Sequence, residues 1–263
     1  MIKLYVTKTE KIKLYYDRLG TGEPLVLIHG LGEVKESWIK QYELANEFDL
    51  IIPDLRGHGE NHLTEGISIK NFAKDVLDLM DQLEIESAHI LGLSMGGTVA
   101  QEIYRQAPAR CRSLILVSTF HFAPRLLGLW FIHYKELRSK IFTPQQIREM
   151  TIRACLFTWE EELLQQFKQY YRPNPEGYDK SMRACFNVDN RELLPNIKVP
   201  TLIIGGEYDT ITPVWVQLIM HKSIPNSKLI IFKNTGHVTK MEAAEKFNQT
   251  IRSFINKQVH VKS

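Results

Sequence analysis

The chain has 263 residues, 44% of them hydrophobic and 24% charged. That is one to two domains' worth of chain, enough for a sizeable core without disulfide or metal staples. With 33 basic and 30 acidic residues the net charge is +3, which excludes the strong basic bias of a nucleic-acid-binding or polybasic membrane-binding protein. Cys111, Cys155 and Cys185 are odd in number and widely spaced. They exclude a disulfide framework and a zinc pattern, and they fit a reducing compartment. The first 20 residues alternate charged and apolar side chains, unlike a signal peptide. The most apolar later run, 126–132, is far shorter than the roughly 18 residues of a membrane span. The expectation is a soluble, cytoplasmic protein without repeats or low-complexity tracts.

In chain order, 2–6 and 11–18 read as two short strands joined by a charged turn at 7–10. Apolar runs at 25–28 and 50–52 read as buried strands, with a helix at 37–47 between them. Ile69, Phe72, Ala73, Val76, Leu77, Met80 and Leu83 recur at helical spacing and predict a helix with one buried stripe. A strand at 88–93, a helix through Tyr104 and a strand at 113–117 follow. The rhythm returns with strands at 201–204 and 228–232, each followed by a helix (213–223 and 239–256). A hairpin followed by alternating strand and helix predicts an α/β protein with a mostly parallel twisted sheet and helices on both faces.

Residues 120–195 interrupt that rhythm with helical, aromatic-rich sequence and no buried-strand run. Some 75 residues exceed what one crossover needs. The expected organisation is a core of 1–119 and 196–263, with a helical cap at 120–195 inserted between two strands of the sheet.

Gly92-Leu93-Ser94-Met95-Gly96-Gly97 fits G-x-S-x-G and lies between an apolar strand and a helical run. That is the setting of a nucleophile elbow, with Ser94 at a helix N-terminus. A serine hydroxyl needs a base, and Asn234-Thr235-Gly236-His237-Val238, after the last predicted strand, offers His237. The base needs an acid to fix its tautomer. Gly205-Gly206-Glu207-Tyr208-Asp209 supplies Asp209, with Glu207 as the alternative. All three positions fall at predicted C-terminal strand ends, in the order nucleophile, acid, base. Oxyanion stabilisation falls to two backbone N–H groups, that of Met95 and that of Leu31 in the loop opened by His29-Gly30. Phe120, His121 and Val238 are candidate pocket residues. The i, i+4 pair His58 and His62 sits in a glycine-bearing loop and gives no metal site, and the sequence holds no phosphate-binding or dinucleotide-binding glycine loop.

The landmarks His29-Gly30-Leu31-Gly32, Asp54-Leu55-Arg56-Gly57-His58-Gly59, 92–97, Gly206-Glu207-Tyr208-Asp209 and Gly236-His237 resemble the α/β-hydrolase superfamily over nearly the whole chain. Within it the set is similar to the serine-nucleophile branch of 3-oxoadipate enol-lactonases, carboxylesterases and cofactor-free perhydrolases. The resemblance implies Ser94 as nucleophile, Asp209 as acid and His237 as base, with His29 and His58 structural. Serine at 94 departs from the aspartate nucleophile of haloalkane dehalogenases and epoxide hydrolases. Val238 departs from the tryptophan that usually follows the base in meta-cleavage product hydrolases. The expected activity is hydrolysis of a small carboxylic ester or lactone through an acyl-enzyme, without metal or organic cofactor. It would act as a monomer or homodimer, with no nucleic-acid or membrane partner. An acyltransferase, perhydrolase or lyase using the same triad stays open, as does a small-molecule sensor built on the same fold.

Overall fold

The computed structural model describes residues 4–8 and 13–259. Their eight strands form one sheet: β1 (Leu4–Lys8), β2 (Lys13–Leu19), β3 (Glu23–Ile28), β4 (Phe48–Pro53), β5 (Ala88–Leu93), β6 (Cys111–Val117), β7 (Thr201–Gly206) and β8 (Ser227–Phe232). The spatial order is β1-β2-β4-β3-β5-β6-β7-β8. β2 runs antiparallel to both β1 and β4, and every other neighbouring pair is parallel. The predicted hairpin falls on β1 and β2, although residues 2, 3 and 9–12 of that prediction lie outside the described residues. Thr7 and Lys8, expected in the turn, continue β1 because they pair with Leu14 and Lys13.

The central strands are apolar over most of their length because both of their faces are covered. Val26, Ile28, Ile90, Leu114, Leu116 and Ile203 pack on one side with Phe72, Val76 and Met80 of α1 (Ile69–Gln82) and Val99 and Ile103 of α2 (Met95–Gln106). Met220 of α7 (Val214–Ser223) joins them. Their alternates Leu25, Leu27, Leu91, Leu93, Ile115, Leu202 and Ile204 face the other way. There they meet Trp38, Leu44 and the terminal helix's Phe247, Ile251 and Ile255. Each such side chain contributes about 1.5–3 kcal/mol of burial, so the period of two along the strands fixes which face each helix covers.

Two predicted helices take a different form. Lys35–Asn46 winds as consecutive 3₁₀ turns, buried on a single side through Ser37, Trp38, Gln41 and Leu44. The predicted helix 239–256 is two, α8 (Thr239–Glu242) and α9 (Ala244–Val259), separated where Ala243 leaves helical backbone at φ −135°.

Between β6 and β7 the chain forms the expected helical cap: α3 (Arg125–Ile141), α4 (Pro144–Cys155), α5 (Glu161–Tyr170) and α6 (Pro175–Cys185). Its own core (Ile152, Leu156, Leu164, Phe167 and Tyr171) includes two residues from beyond β8, Val238 and Met241. The cap is therefore packed directly onto the segment that carries His237. Among the described residues no helix is long and apolar enough to cross a membrane.

Candidate active site

Ser94 ends β5 and caps α2 with φ +55° and ψ −116°, a left-handed conformation that L-residues rarely hold. The elbow is pinned by Ser94 N–H to Val117 O (2.9 Å) and by Thr119 Oγ1 to Ser94 O (2.6 Å). Its tightness explains the flanking glycines. A Cβ at Gly92 would lie 2.1 Å from Gly96 O, and one at Gly96 would lie 2.3 Å from Ile28 O. Strand and helix approach so closely that no side chain fits, and Ser94 is left half-buried at the start of a helix, where the dipole favours developing negative charge.

Asp209 and His237 come from the loops after β7 and β8, and the structure brings them together. His237 Nδ1 lies 2.9 Å from Asp209 Oδ2 and 3.0 Å from Oδ1. The carboxylate is held by N–H donors from Ile211 (2.9 Å) and Thr212 (2.8 Å) and by the Thr212 hydroxyl (2.8 Å). Both side chains are almost fully buried. Burial alone would lower the pKa of His237, but the adjacent Asp209 carboxylate, with Glu33 and Glu242, offsets it and the imidazole sits above its ordinary value. Burial would likewise raise Asp209, and His237 with the Thr212 donors hold it below the usual carboxylate range. Because Nδ1–H donates a hydrogen bond to Asp209, Nε2 is the ring nitrogen left to act as base. Glu207, the alternative acid, instead accepts the Asn234 N–H at 3.1 Å.

The remaining predicted positions fall as follows. The backbone N–H groups of Leu31 and Met95 have no acceptor among the described residues. Phe120 packs partly buried against the main core. His121 is half-buried, its Nδ1 enclosed without a partner, and burial lowers its pKa despite Asp189 nearby. Val238 is 1% exposed and belongs to the cap core.

His29 and His58 are both buried, their ring centroids 5.0 Å apart. His29 donates through Nδ1 to Gly30 O (2.9 Å) and accepts the Leu55 N–H on Nε2 (3.1 Å), which fixes its tautomer. Burial lowers its pKa to about 4 and that of His58 to about 3, so both are neutral and hold the loops after β3 and β4. His62 is exposed. Arg56 of the same loop makes a buried two-pronged pair with Asp75 of α1 (2.7 and 2.6 Å).

Sequence reasoning missed three residues around this site. Glu242 of α8 accepts the Gly236 N–H (2.7 Å) and the Phe157 N–H of the cap (2.6 Å), beside the His237 N–H bond to Cys155 O (2.8 Å). Glu33 and Lys240 form a buried ion pair at 2.9 Å. A lone acid in a loop, or a lysine and an acid in a four-residue helix, carries no local signal of such contacts. A surface cavity of about 560 Å³ between α1, α2 and α6 is lined by none of the candidate catalytic residues.

The sequence profile of the α/β hydrolase fold matches residues 23–244. The chain is similar to a pimeloyl-[acyl-carrier protein] methyl ester esterase of Legionella pneumophila, with 30% identity over 93% of this chain and 100% of that one. It is also similar to 3-oxoadipate enol-lactonase 1 of Acinetobacter baylyi, with 27% identity over 88% of each. It spans 64% of the length of a third relative, the dihydrolipoyllysine-residue acetyltransferase component of an acetoin cleaving system in Pseudomonas putida, at 29% identity over 90% of this chain. Among solved structures, a thermophilic esterase from Thermogutta terrifontis superposes with a TM-score of 0.86 at 29% identity, covering 98% of both chains. The chain belongs to the α/β-hydrolase family.

Proposed function

We propose that this α/β-hydrolase cleaves a small carboxylic ester or lactone through an acyl-enzyme formed on Ser94. The observation that carries the reading is the buried Asp209–His237 pair, with a serine held at φ +55° on a helix N-terminus at the C-terminal end of β5 in the same sheet. In this mechanism His237 Nε2 takes the Ser94 proton as Oγ attacks the substrate carbonyl. The N–H groups of Leu31 and Met95 receive the oxyanion. Collapse expels the alcohol, which takes the proton from His237. Water, deprotonated in turn by His237, then attacks the acyl carbon, releasing the acid and restoring Ser94. Asp209 stays ionised throughout, fixing the tautomer and stabilising the imidazolium.

The division that goes with this reading makes 1–119 and 196–263 the catalytic core and 120–195 the cap that selects substrate, with Phe120, His121 and Val238 at their junction. The enzyme would act on small molecules in the cytoplasm, as a monomer or homodimer, with no nucleic-acid partner. The test is turnover of a panel of short esters and small lactones, with thiol, alcohol and peroxide acceptors in parallel, by wild-type protein and Ser94→Ala. Repeated hydrolysis abolished in a folded Ser94→Ala variant supports the reading. Hydrolysis that survives the substitution defeats it, and product on an added acceptor in place of free acid makes the enzyme a transferase.

A further inference from the structure

We infer that Glu33 and Lys240 form a positioning pair that sets the oxyanion loop against the loop carrying the base. The inference rests on the catalytic roles proposed above for Leu31 and His237. Glu33 follows Leu31 by two residues and Lys240 follows His237 by three, so one ion pair joins the oxyanion loop to α8, the helix that directly follows the base loop, across 207 positions of sequence. Glu33 is 3% exposed and Lys240 0%.

The contacts of the pair converge on the oxyanion loop. Glu33 Oε2 accepts Lys240 Nζ (2.9 Å), the Gly30 N–H (3.1 Å) and the Ser37 hydroxyl (3.2 Å). Lys240 Nζ donates in addition to Ser37 Oγ (2.8 Å) and lies 4.0 Å above the Trp38 ring. The Glu33 N–H closes a turn onto Gly30 O (3.2 Å). With the Gly30 N–H held by Glu33, the following N–H, that of Leu31, is free for a ligand. The cap holds the same loop from above, through Arg172 N–H to Gly32 O (2.9 Å) and a bridge between Glu33 and Tyr171. At the other end, Lys240 O accepts Gln41 Nε2 (2.9 Å), which also reaches Asn248 Oδ1 (3.1 Å), so the lysine backbone is fixed as firmly as its ammonium.

Stability alone is a weak reason for such a pair. Desolvating two charges offsets most of their attraction, and an apolar pair of equal volume often serves a fold as well. What an apolar pair does not supply is an acceptor for the Gly30 N–H and a directional tie between two loops whose relative placement governs transition-state geometry.

The experiment compares wild type, Lys240→Met, the neutral double variant Glu33→Gln/Lys240→Met, and Ser94→Ala. It reads kcat and KM on a short ester, affinity for an alkyl boronic acid that adds to the serine as a tetrahedral anion, and circular dichroism. A lost oxyanion donor costs about 10²–10³ in kcat, so misplacing one should lower kcat about 10- to 100-fold with KM within about threefold. Boronate affinity should fall by the same factor as kcat/KM. Lys240→Met leaves Glu33 buried and unpaired, so it can fail to fold. The double variant removes both charges and decides the matter in that case. A folded double variant with kcat and boronate affinity within about twofold of wild type overturns the inference, as does a loss confined to KM. If Ser94→Ala turns over, the reading of the site fails instead.

Discussion

His237 Nδ1 lies 2.9 Å from Asp209 Oδ2, and that carboxylate is fixed by three donors of its own from Ile211 and Thr212. The imidazole can therefore neither flip nor change tautomer without breaking a saturated network. Asp209→Asn keeps the size but presents an amide that donates as well as accepts, which allows the wrong tautomer. The expected result is a fall in kcat of about 10³–10⁴-fold with fold retained. Steady-state kinetics on a short ester, beside a far-ultraviolet circular dichroism spectrum, checks it. A loss below about tenfold would remove Asp209 from the mechanism.

The same pair sets the pH dependence. Burial lowers the pKa of His237, and Asp209 leads the carboxylates that together hold it above the ordinary 6.5. Glu33 from the oxyanion loop and Glu242 from α8 add in the same direction, while the neutral Thr212 hydroxyl lies 3.4 Å from the ring Nδ1. The base works only when neutral, so the acid limb of kcat/KM is expected above pH 6.5. In Asp209→Asn it should move down, because burial then dominates. The stability sign follows from linkage. The raised His237 contributes stability that is fully present below its unfolded value and lost as pH rises through the folded one. The depressed Asp209 contributes stability present above 3.8 and lost as pH falls through its lowered value. A pH–rate profile from about pH 5 to 9 decides this, and an acid limb at or below 6.5 would contradict the Asp209 contribution.

Much of this was legible in the sequence because local chemistry enforced it. Strands buried on two faces are apolar wherever a polar side chain finds no partner, so the 88–93 run, whose one polar side chain, His89, bonds Ser113 Oγ at 2.7 Å, matches β5 residue for residue. Gly92 and Gly96 mark a contact too tight for any Cβ, which is why they identify the elbow. Asp209 and His237 stand out by their position at strand ends. By contrast, Glu33, Lys240 and Glu242 look like solvated charges in sequence, since only tertiary folding encloses them. The 3₁₀ winding of Lys35–Asn46 and the break at Ala243 arise from how the chain seats against the sheet, which the periodicity of side chains does not encode.

The elbow makes a prediction about Gly96. A Cβ there would stand 2.3 Å from Ile28 O and 2.7 Å from His29 O, backbone atoms of the last residue of β3 and the first of the oxyanion loop. Gly96→Ala must push α2 away from β3, so the expected outcome is a stability loss of about 3 kcal/mol or more and negligible activity. Ser94→Ala, which keeps the backbone and adds no atom, should lose activity with stability within about 0.5 kcal/mol of wild type. Chemical denaturation of the two variants separates them. An equally stable Gly96→Ala protein would mean that strand and helix are less closely apposed than these distances require.

Glu242 makes the last prediction, because one carboxylate serves both halves of the molecule. Its Oε2 accepts the N–H of Gly236, immediately before the base, and its Oε1 accepts the N–H of Phe157 in the cap. Burial pushes its pKa up, while the donors from Phe157, Gly236 and Thr158 pull it down. Glu242→Ala would leave those N–H groups in a half-buried place without an acceptor, at about 1–3 kcal/mol for each that water cannot reach. Glu242→Gln should restore little, since its amide nitrogen would face one of the donors. The loss should also be local: with the clamp gone, amide exchange should quicken at 155–158 and 236–238 while the central strands keep their protection. Activity should fall with it, because the His237 N–H bond to Cys155 O is then the neighbouring backbone tie between base loop and cap. Hydrogen exchange read by mass spectrometry on Glu242→Ala checks this directly. Unchanged exchange at 155–158 would show that the Val238 and Met241 packing into the cap core holds the two parts together without the carboxylate.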